Sequence, residues 1–307
     1  MADQNATRAG FVAIIGAPNA GKSTLVNALV GRKVSIVTPK VQTTRFQVRG
    51  VMMHGSAQLV LVDTPGVFAP RRRLDRAMVA SAWEGADDAD AIVHVVDAAA
   101  QLSQARRTVE DVERVIDGLK AHELKAVLVL NKIDLIKREE LLDLSQKLFE
   151  TGVYSDVFMI SASNGDRIKD LADFLVTLMP ESPYLYPEDQ IADLSERMLA
   201  AEVTREKLYL RVHDELPYGL TVETDSWKDN KDGSVRIEQT VYVEREGHKP
   251  IILGKGGQTI KWVSTAARTD LEEQLDRKVH LFLFVKVLPN WGDERARFNA
   301  LGLDFDA

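Results

Sequence analysis

The run Gly16-Ala17-Pro18-Asn19-Ala20-Gly21-Lys22-Ser23-Thr24 follows directly on the apolar stretch Phe11 to Ile15, so a buried strand breaks into a glycine-rich turn and then a helix. That local plan is a phosphate-binding loop. Gly16 and Gly21 let consecutive backbone N–H groups turn inward around an anionic oxygen. A helix starting near Lys22 adds its positive dipole end, and the Lys22 ammonium reaches the outer phosphates. Ser23 is then placed to bind Mg²⁺.

Two further apolar runs end on residues of the same kind of chemistry. Leu59 to Val62 leads into Asp63-Thr64-Pro65-Gly66. An aspartate before a proline-glycine turn is ordinarily a turn former. Behind a phosphate loop, the Asp63 carboxylate also serves to hold Mg²⁺ through water, and Gly66 offers a backbone N–H to a γ-phosphate. Ala126 to Leu130 leads into Asn131-Lys132-Ile133-Asp134. Guanine carries a ring N–H and an exocyclic amine side by side, and one carboxylate accepts from both. Adenine has no such pair and would leave the carboxylate, expected here to be buried, without a partner. Asp134 therefore predicts a guanine site. Asn131 is expected to tie this loop back to the phosphate loop, and the Lys132 stem to lie over the purine. After Val157 to Ile160, Ser161-Ala162-Ser163 completes the set, with the Ala162 N–H aimed at the guanine carbonyl.

The ordered set G-x-x-x-x-G-K-S, T-T-R, D-T-P-G, N-K-x-D and S-A resembles the translation-factor class of GTPases and, within it, the Era family. The resemblance implies an α/β P-loop NTPase domain with Mg²⁺ as cofactor. It also places the first switch loop in the polar stretch Lys33 to Phe46, which contains Gln42-Thr43-Thr44-Arg45. Thr44 is the first choice, and Thr43 the second, for the threonine that completes the Mg²⁺ shell and meets the γ-phosphate. Such a loop orders with GTP and relaxes with GDP. Many GTPases carry a water-orienting glutamine just past D-T-P-G. Here that position is Val67, so intrinsic turnover is expected to be slow. In related GTPases an asparagine placed like Asn19 helps hold a potassium ion, which makes K⁺ a second expected cofactor. The catalytic set is then Lys22, Asn19, Thr44 and Gly66. Arg71-Arg72-Arg73 reads better as a solvated helix start than as a phosphate contact.

Composition narrows the remaining classes. The 307 residues suit two domains with real cores. No cysteine occurs, so there is neither a disulfide framework nor a thiolate metal site, and the six histidines show no paired spacing for zinc. The N-terminus lacks the apolar core of a secretion signal and no segment is long enough to span a bilayer, which predicts a soluble protein; the absence of cysteine suits the cytoplasm, and a monomer is expected. The family is also linked to the inner face of the bacterial membrane; without a lipid anchor that implies peripheral association at most. A net charge of −7 argues against a protein that coats nucleic acid through bulk positive charge, and no DNA partner is expected.

Strands and amphipathic helices alternate through residues 1–179, the pattern of a mainly parallel sheet covered on both faces. Residues 180–192 open with three prolines in eight residues and read as an extended linker. Residues 193–307 form a second domain. A helix over 193–211, a strand over 218–224 and a strand over 234–245 lead to the apolar run Ile251-Ile252-Leu253. Then comes Gly254-Lys255-Gly256-Gly257, a helix, and a strand over 279–288. The glycines allow the backbone to approach the phosphates of a single-stranded nucleic acid closely. Gly247 to Thr269 holds no acid, whereas Lys249, Lys255, Lys261 and Arg268 are basic. Ile252 is a candidate for the groove where bases lie, with core packing as its plainer role. The order of elements resembles an α+β type II KH domain, and the run from L-Y-P-E-D-Q through H-D-E-L-P-Y to V-K-V-L-P-N-W is similar to the Era family. That resemblance spans residues 9–303. It implies GTP and GDP as ligands, 16S rRNA and the 30S subunit as partners, and a role in small-subunit biogenesis and 16S rRNA processing. The tail from Trp291 onward is expected to be a short helix and a docked end. An RNA-binding adaptor with a non-cycling nucleotide domain is the alternative. A tRNA-modifying GTPase finds no support, since no cysteine or modification domain is present.

Overall fold

The computed structural model describes residues 7–213 and 216–307. Residues 1–6 of the N-terminus, and Asp214 and Glu215 of the H-D-E-L-P-Y run, lie outside the described residues. The chain gathers into two units. One comprises residues up to Ser35, Thr44–Asp193 and Phe298–Ala307, the other Ile36–Thr43 and Leu194–Arg297.

The first unit runs β1 (Arg8–Ile15), α1 (Lys22–Val30), β2 (Val48–His54), β3 (Ala57–Asp63), α2 (Arg73–Asp87), β4 (Ala91–Asp97), α3 (Ala98–Leu102) and α4 (Arg106–Ala121). It continues with β5 (Ala126–Asn131), α5 (Arg138–Phe149), β6 (Tyr154–Met159), α6 (Ile168–Leu178) and β7 (Ala192–Asp193). Seven strands form one sheet in the order β6-β5-β4-β1-β3-β2-β7. The strands from β6 to β3 are parallel, while at one edge β2 pairs antiparallel with β3 and β7 antiparallel with β2. Successive side chains of β1 leave the sheet on opposite faces. Val12 and Ile14 join Leu25 of α1 and Leu171 and Leu175 of α6, whereas Ala13 and Ile15 join Ala82 of α2 and Val115 and Leu119 of α4. Burial on both faces is why the strand reads as an unbroken apolar run. The loops after β1, β3, β5 and β6 consequently leave the same carboxyl edge of the sheet, where such folds place their ligands.

The expected linker is not a free spacer. Gln58, fully buried in β3, donates to Tyr186 O (2.8 Å) and accepts from the N–H groups of Leu185 (2.8 Å) and Tyr186 (2.9 Å). Residues 192–193 then add β7 to the sheet, so the stretch belongs to the first unit. The boundary therefore falls at Asp193, and the end of the chain returns to the first unit from Phe298. Phe298 is buried there and meets the Phe305 ring edge-on at 5.0 Å, and the Arg73 guanidinium lies 4.2 Å over Phe305. The Asp75 carboxylate accepts from the N–H groups of Arg71 and Arg72, at 3.0 Å each, so the arginine triplet is the start of α2.

The second unit runs α7 (Glu196–Arg211), β8 (Leu220–Asp229), β9 (Val235–Val243), α8 (His248–Leu253), α9 (Gln258–Leu275) and β10 (Val279–Val287). Its sheet has the order β10-β9-β8, with β9 and β10 parallel and β8 antiparallel to β9. Ser195 caps α7 by accepting from Met198 N (3.3 Å). Leu208, Tyr209, Val241, Ile252 and Val263 make one core cluster and Val203, Ile237, Ala267 and Leu281 another, both between helices and sheet. The apolar run before the glycine turn is thus helix α8, which completes the type II KH order. Trp291 is buried and donates from Nε1 to Gly219 O (3.1 Å). α10 (Arg295–Ala300) follows it. Among the described residues no helix is long and apolar enough to cross a membrane.

Candidate functional site

Residues 16–21 form the turn between β1 and α1, and α1 starts at Lys22. Gly21, at φ 98°, cannot be replaced without strain, and a Cβ there would lie 2.2 Å from Asn131 Nδ2. Lys22 is buried and donates from Nζ to Gly16 O (3.1 Å) and Ala17 O (3.0 Å), which holds the loop around its own ammonium. Burial pulls the Lys22 pKa down to about 8, opposed in part by the charge of Asp63. Pro18 and Asn19 form the crest of the loop, Asn19 exposed and left-handed at φ 63°, while Ala17 and Ala20 are buried beneath. Thr24, one residue into the helix from Ser23, is half-buried.

Three oxygen-bearing side chains of the first unit meet beside Lys22. Ser23 Oγ donates to Asp63 Oδ2 (2.7 Å), Thr44 Oγ1 lies 3.0 Å from Ser23 Oγ, and Thr44 Oγ1 donates to the same Asp63 oxygen (3.3 Å). The other carboxylate oxygen, Asp63 Oδ1, is buried with no hydrogen-bond partner. Burial pushes the Asp63 pKa up, against the hydrogen bond from Ser23 and the Lys22 charge. A buried carboxylate with one unsatisfied oxygen between two hydroxyls is a hard-oxygen donor set, and it fits Mg²⁺. Thr43, the second choice, is occupied elsewhere: its Oγ1 donates to Lys40 O (2.7 Å) and lies 2.6 Å from Thr38 Oγ1. It belongs with residues 36–43 to the second unit, where the buried Arg205 donates to the carbonyls of Gln42 (3.4 Å) and Thr43 (2.5 Å). Nothing in the sequence singled out Arg205, because a lone arginine on an amphipathic helix carries no motif.

After Asp63, Thr64 is buried and donates to Ile14 O (2.8 Å), Pro65 is buried, and Gly66 is half-buried. Val67 donates its N–H to Gly16 O (3.1 Å) and turns its side chain into the core cluster with Ile15 and Ala17.

The Asn131 carboxamide joins three loops. Its Nδ2 donates to Ala20 O (2.9 Å), and its Oδ1 accepts from Lys132 N (2.8 Å) and Ala162 N (3.0 Å). Lys132, left-handed at φ 65°, donates to Asn19 O (2.9 Å) and pairs with Asp97 Oδ2 at 2.5 Å. Asp97, which the motifs did not bring forward, ends β4 and caps α3 by accepting from Ala100 N (2.9 Å). Its signal was an acid closing an apolar run, as Asp63 does. Asp134 differs from expectation. It stands on a short 3-10 turn over Ile133–Leu135 and is exposed, since no element covers that turn. The Ser161 side chain is buried, with Oγ 3.2 Å from Ser163 Oγ.

In the second unit, Gly254 sits between α8 and the clamp at φ 73°, where a Cβ would come within 2.3 Å of Thr259 Oγ1. Lys255, Gly256 and Lys261 are exposed, Lys249 and Gly257 partly so. Ile252 is a correction to the sequence reading. It is fully buried in the core cluster with Leu208 and Val263, and its neighbour Ile251 is the exposed one, because α8 turns only one of two consecutive side chains inward. Arg268 stands further along α9 and pairs with Glu272 at 2.9 Å, so its charge is engaged.

Fold and site together define a P-loop GTPase domain followed by a type II KH domain. The family model described as 50S ribosome-binding GTPase matches residues 11–132, and that described as KH domain matches residues 215–292. The chain is 63% identical to GTPase Era of Caulobacter vibrioides over 98% of both chains. It is 60% identical to GTPase Era of Maricaulis maris over 97% of this chain and 98% of that one. A crystal structure of Era in complex with MgGDPNP and nucleotides 1506–1542 of 16S ribosomal RNA is similar at a TM-score of 0.89 and 36% identity, covering 96% of this chain and 99% of that chain. A variant of Aquifex aeolicus Era bound to GDP·AlF4⁻ has the same values. The chain belongs to the Era family of GTPases.

Proposed function

We propose that the protein is a GTP-hydrolysing switch whose KH unit grips single-stranded 16S ribosomal RNA and acts in assembly of the small ribosomal subunit. The observation that carries this reading is the unsatisfied Asp63 oxygen beside Ser23, Thr44 and the buried Lys22 ammonium. It is supported by similarity to an Era structure holding MgGDPNP and a 16S ribosomal RNA fragment. In this reading the N–H groups of residues 16–24 and Lys22 take the phosphates. Ser23, Thr44 and Asp63 hold Mg²⁺, which offsets the charge on the transferring phosphoryl oxygens when bound. The Gly66 N–H meets the γ-phosphate. Asp134 accepts from guanine, the Lys132 stem covers the purine, and Asn131 fixes the loop that carries them with Ser161 and Ala162. Gly254, Lys255, Gly256 and Gly257, flanked by Lys249 and Lys261, clamp the RNA backbone.

We further infer that Asn19, exposed at the crest of the phosphate loop, helps hold a potassium ion beside the phosphates. The test is direct: GTP but not ATP is hydrolysed with Mg²⁺, and RNA of the 16S 3′ end binds. Nucleotide binding without turnover, even with K⁺ and saturating RNA, would instead establish the non-cycling adaptor; an unchanged rate on replacing Na⁺ by K⁺ would remove potassium.

A further inference from the structure

The sheet of the second unit packs α7, α8 and α9 on one face, and on the other Arg297 of α10 reaches Glu223 and Tyr242. Along β10 the alternation sends Val279 and Leu281 into the core and His280, Phe282, Phe284 and Lys286 to the other face. Phe282 is 41% exposed and Phe284 50% exposed, on a strand that is also the edge of its sheet. Two large apolar rings on an open edge strand invite unwanted association unless a partner uses them.

The polar neighbours of the two rings indicate which partner. Arg236 of β9 stands opposite His280, and its guanidinium lies 4.3 Å from the centroid of the Phe282 ring. Glu238, opposite Phe282, is ion-paired with Arg236 at 2.7 Å. On β8, Glu223 is ion-paired with Arg297, and Asp225 accepts from Thr240 Oγ1 (2.6 Å). The acids of this face are thus engaged, while His280 and Lys286 bracket the rings. Side chains two residues apart on one face of a strand are about 6.6 Å apart, a spacing that an extended single strand can follow base by base. Aromatic rings in such a row accept one base each, and flanking cations meet the phosphates between them. An apolar protein surface would use the rings and gain nothing from the cations.

We propose that this open sheet face is a second RNA-binding surface, on which Phe282 and Phe284 stack consecutive bases of single-stranded RNA while Lys286 meets its backbone. It rests on the RNA-binding reading above and extends the grip of the glycine clamp. The test uses the full chain and a labelled RNA of nucleotides 1506–1542 of 16S ribosomal RNA. Phe282→Ala and Phe284→Ala are each expected to weaken binding about ten-fold. Phe284→Tyr keeps a π-face and should bind as the unaltered chain does. Phe284→Leu keeps apolar bulk without that face and should bind as weakly as the alanine variant. Unchanged circular dichroism and thermal unfolding of each variant report an intact fold. Alanine variants that bind RNA as tightly as the unaltered chain would overturn the proposal and leave the face to a protein partner. A leucine variant equal to phenylalanine would overturn stacking. Failure of the unaltered chain to bind RNA at all is a different result, and it would sink the earlier reading as well.

Discussion

At the scale of single residues, the ionisation of Lys22 governs what the phosphate loop can hold. On the proposed reading a triphosphate binds the ammonium form, and burial has drawn the Lys22 pKa down to about 8. Below that pH the group is already charged, and binding takes up no proton. Above it, every binding event must first protonate Lys22. GTP affinity measured by calorimetry should therefore be flat from pH 7 to about 8 and fall about ten-fold by pH 9, with proton uptake visible as a buffer-dependent heat. Affinity that stays level to pH 9 would contradict the assignment of Lys22. Most of this set was legible in the sequence, because glycine, lysine, serine and aspartate at loop positions after apolar runs have few other uses in that order. Asp97 was not, since it acts through Lys132 and lies in no motif. The exposure of Asp134 was not legible either, because a sequence pattern fixes the acceptor and not what covers it.

Among the elements, the turn that joins α8 to α9 is the most demanding piece of backbone. Gly254 combines φ 73° with ψ 168°, a conformation open to glycine alone, and Thr259 leaves no room for a Cβ. Gly256, at φ 60° and ψ 24°, is left-handed but has open space around it. Gly254→Ala should lower the stability of the protein by about 1–3 kcal/mol and Gly256→Ala by about 1 kcal/mol. Denaturant titration would compare the two, and equal losses would mean that the Thr259 contact does not matter. The alternating strands and helices of the first unit could be read from their periods. What could not be read is β7, whose two residues have no period, and the linker bound to Gln58, a buried polar residue that sequence alone places nowhere. Helix α8 was hidden for a related reason: a short apolar run does not distinguish strand from helix.

For the whole molecule, two activities should separate by mutation. Lys22→Ala is expected to abolish GTP hydrolysis and leave RNA affinity within about two-fold. Lys255→Asp with Gly256→Asp is expected to weaken RNA binding at least ten-fold and make it less salt-dependent, with GTP affinity unchanged. Filter binding across a salt series and calorimetry would decide. Loss of both activities in either variant would mean that the sites are not independent. That the acidic chain still presents a basic clamp was legible because no acid interrupts Gly247 to Thr269. That Ile252 is not part of it was not, because side-chain direction on α8 emerges only from packing.

The packing of Val67 beneath the phosphate loop also has a consequence for the lifetime expected of the loaded state. A glutamine in its place would have to bury a carboxamide among Ile15 and Ala17, at a cost of about 1–3 kcal/mol, before it could steer any water. The chain is thereby shut out of the shortest path to faster self-hydrolysis. On the proposed reading its dwell time with triphosphate is expected to be long, and the signal to end that interval is expected from a surface the protein meets.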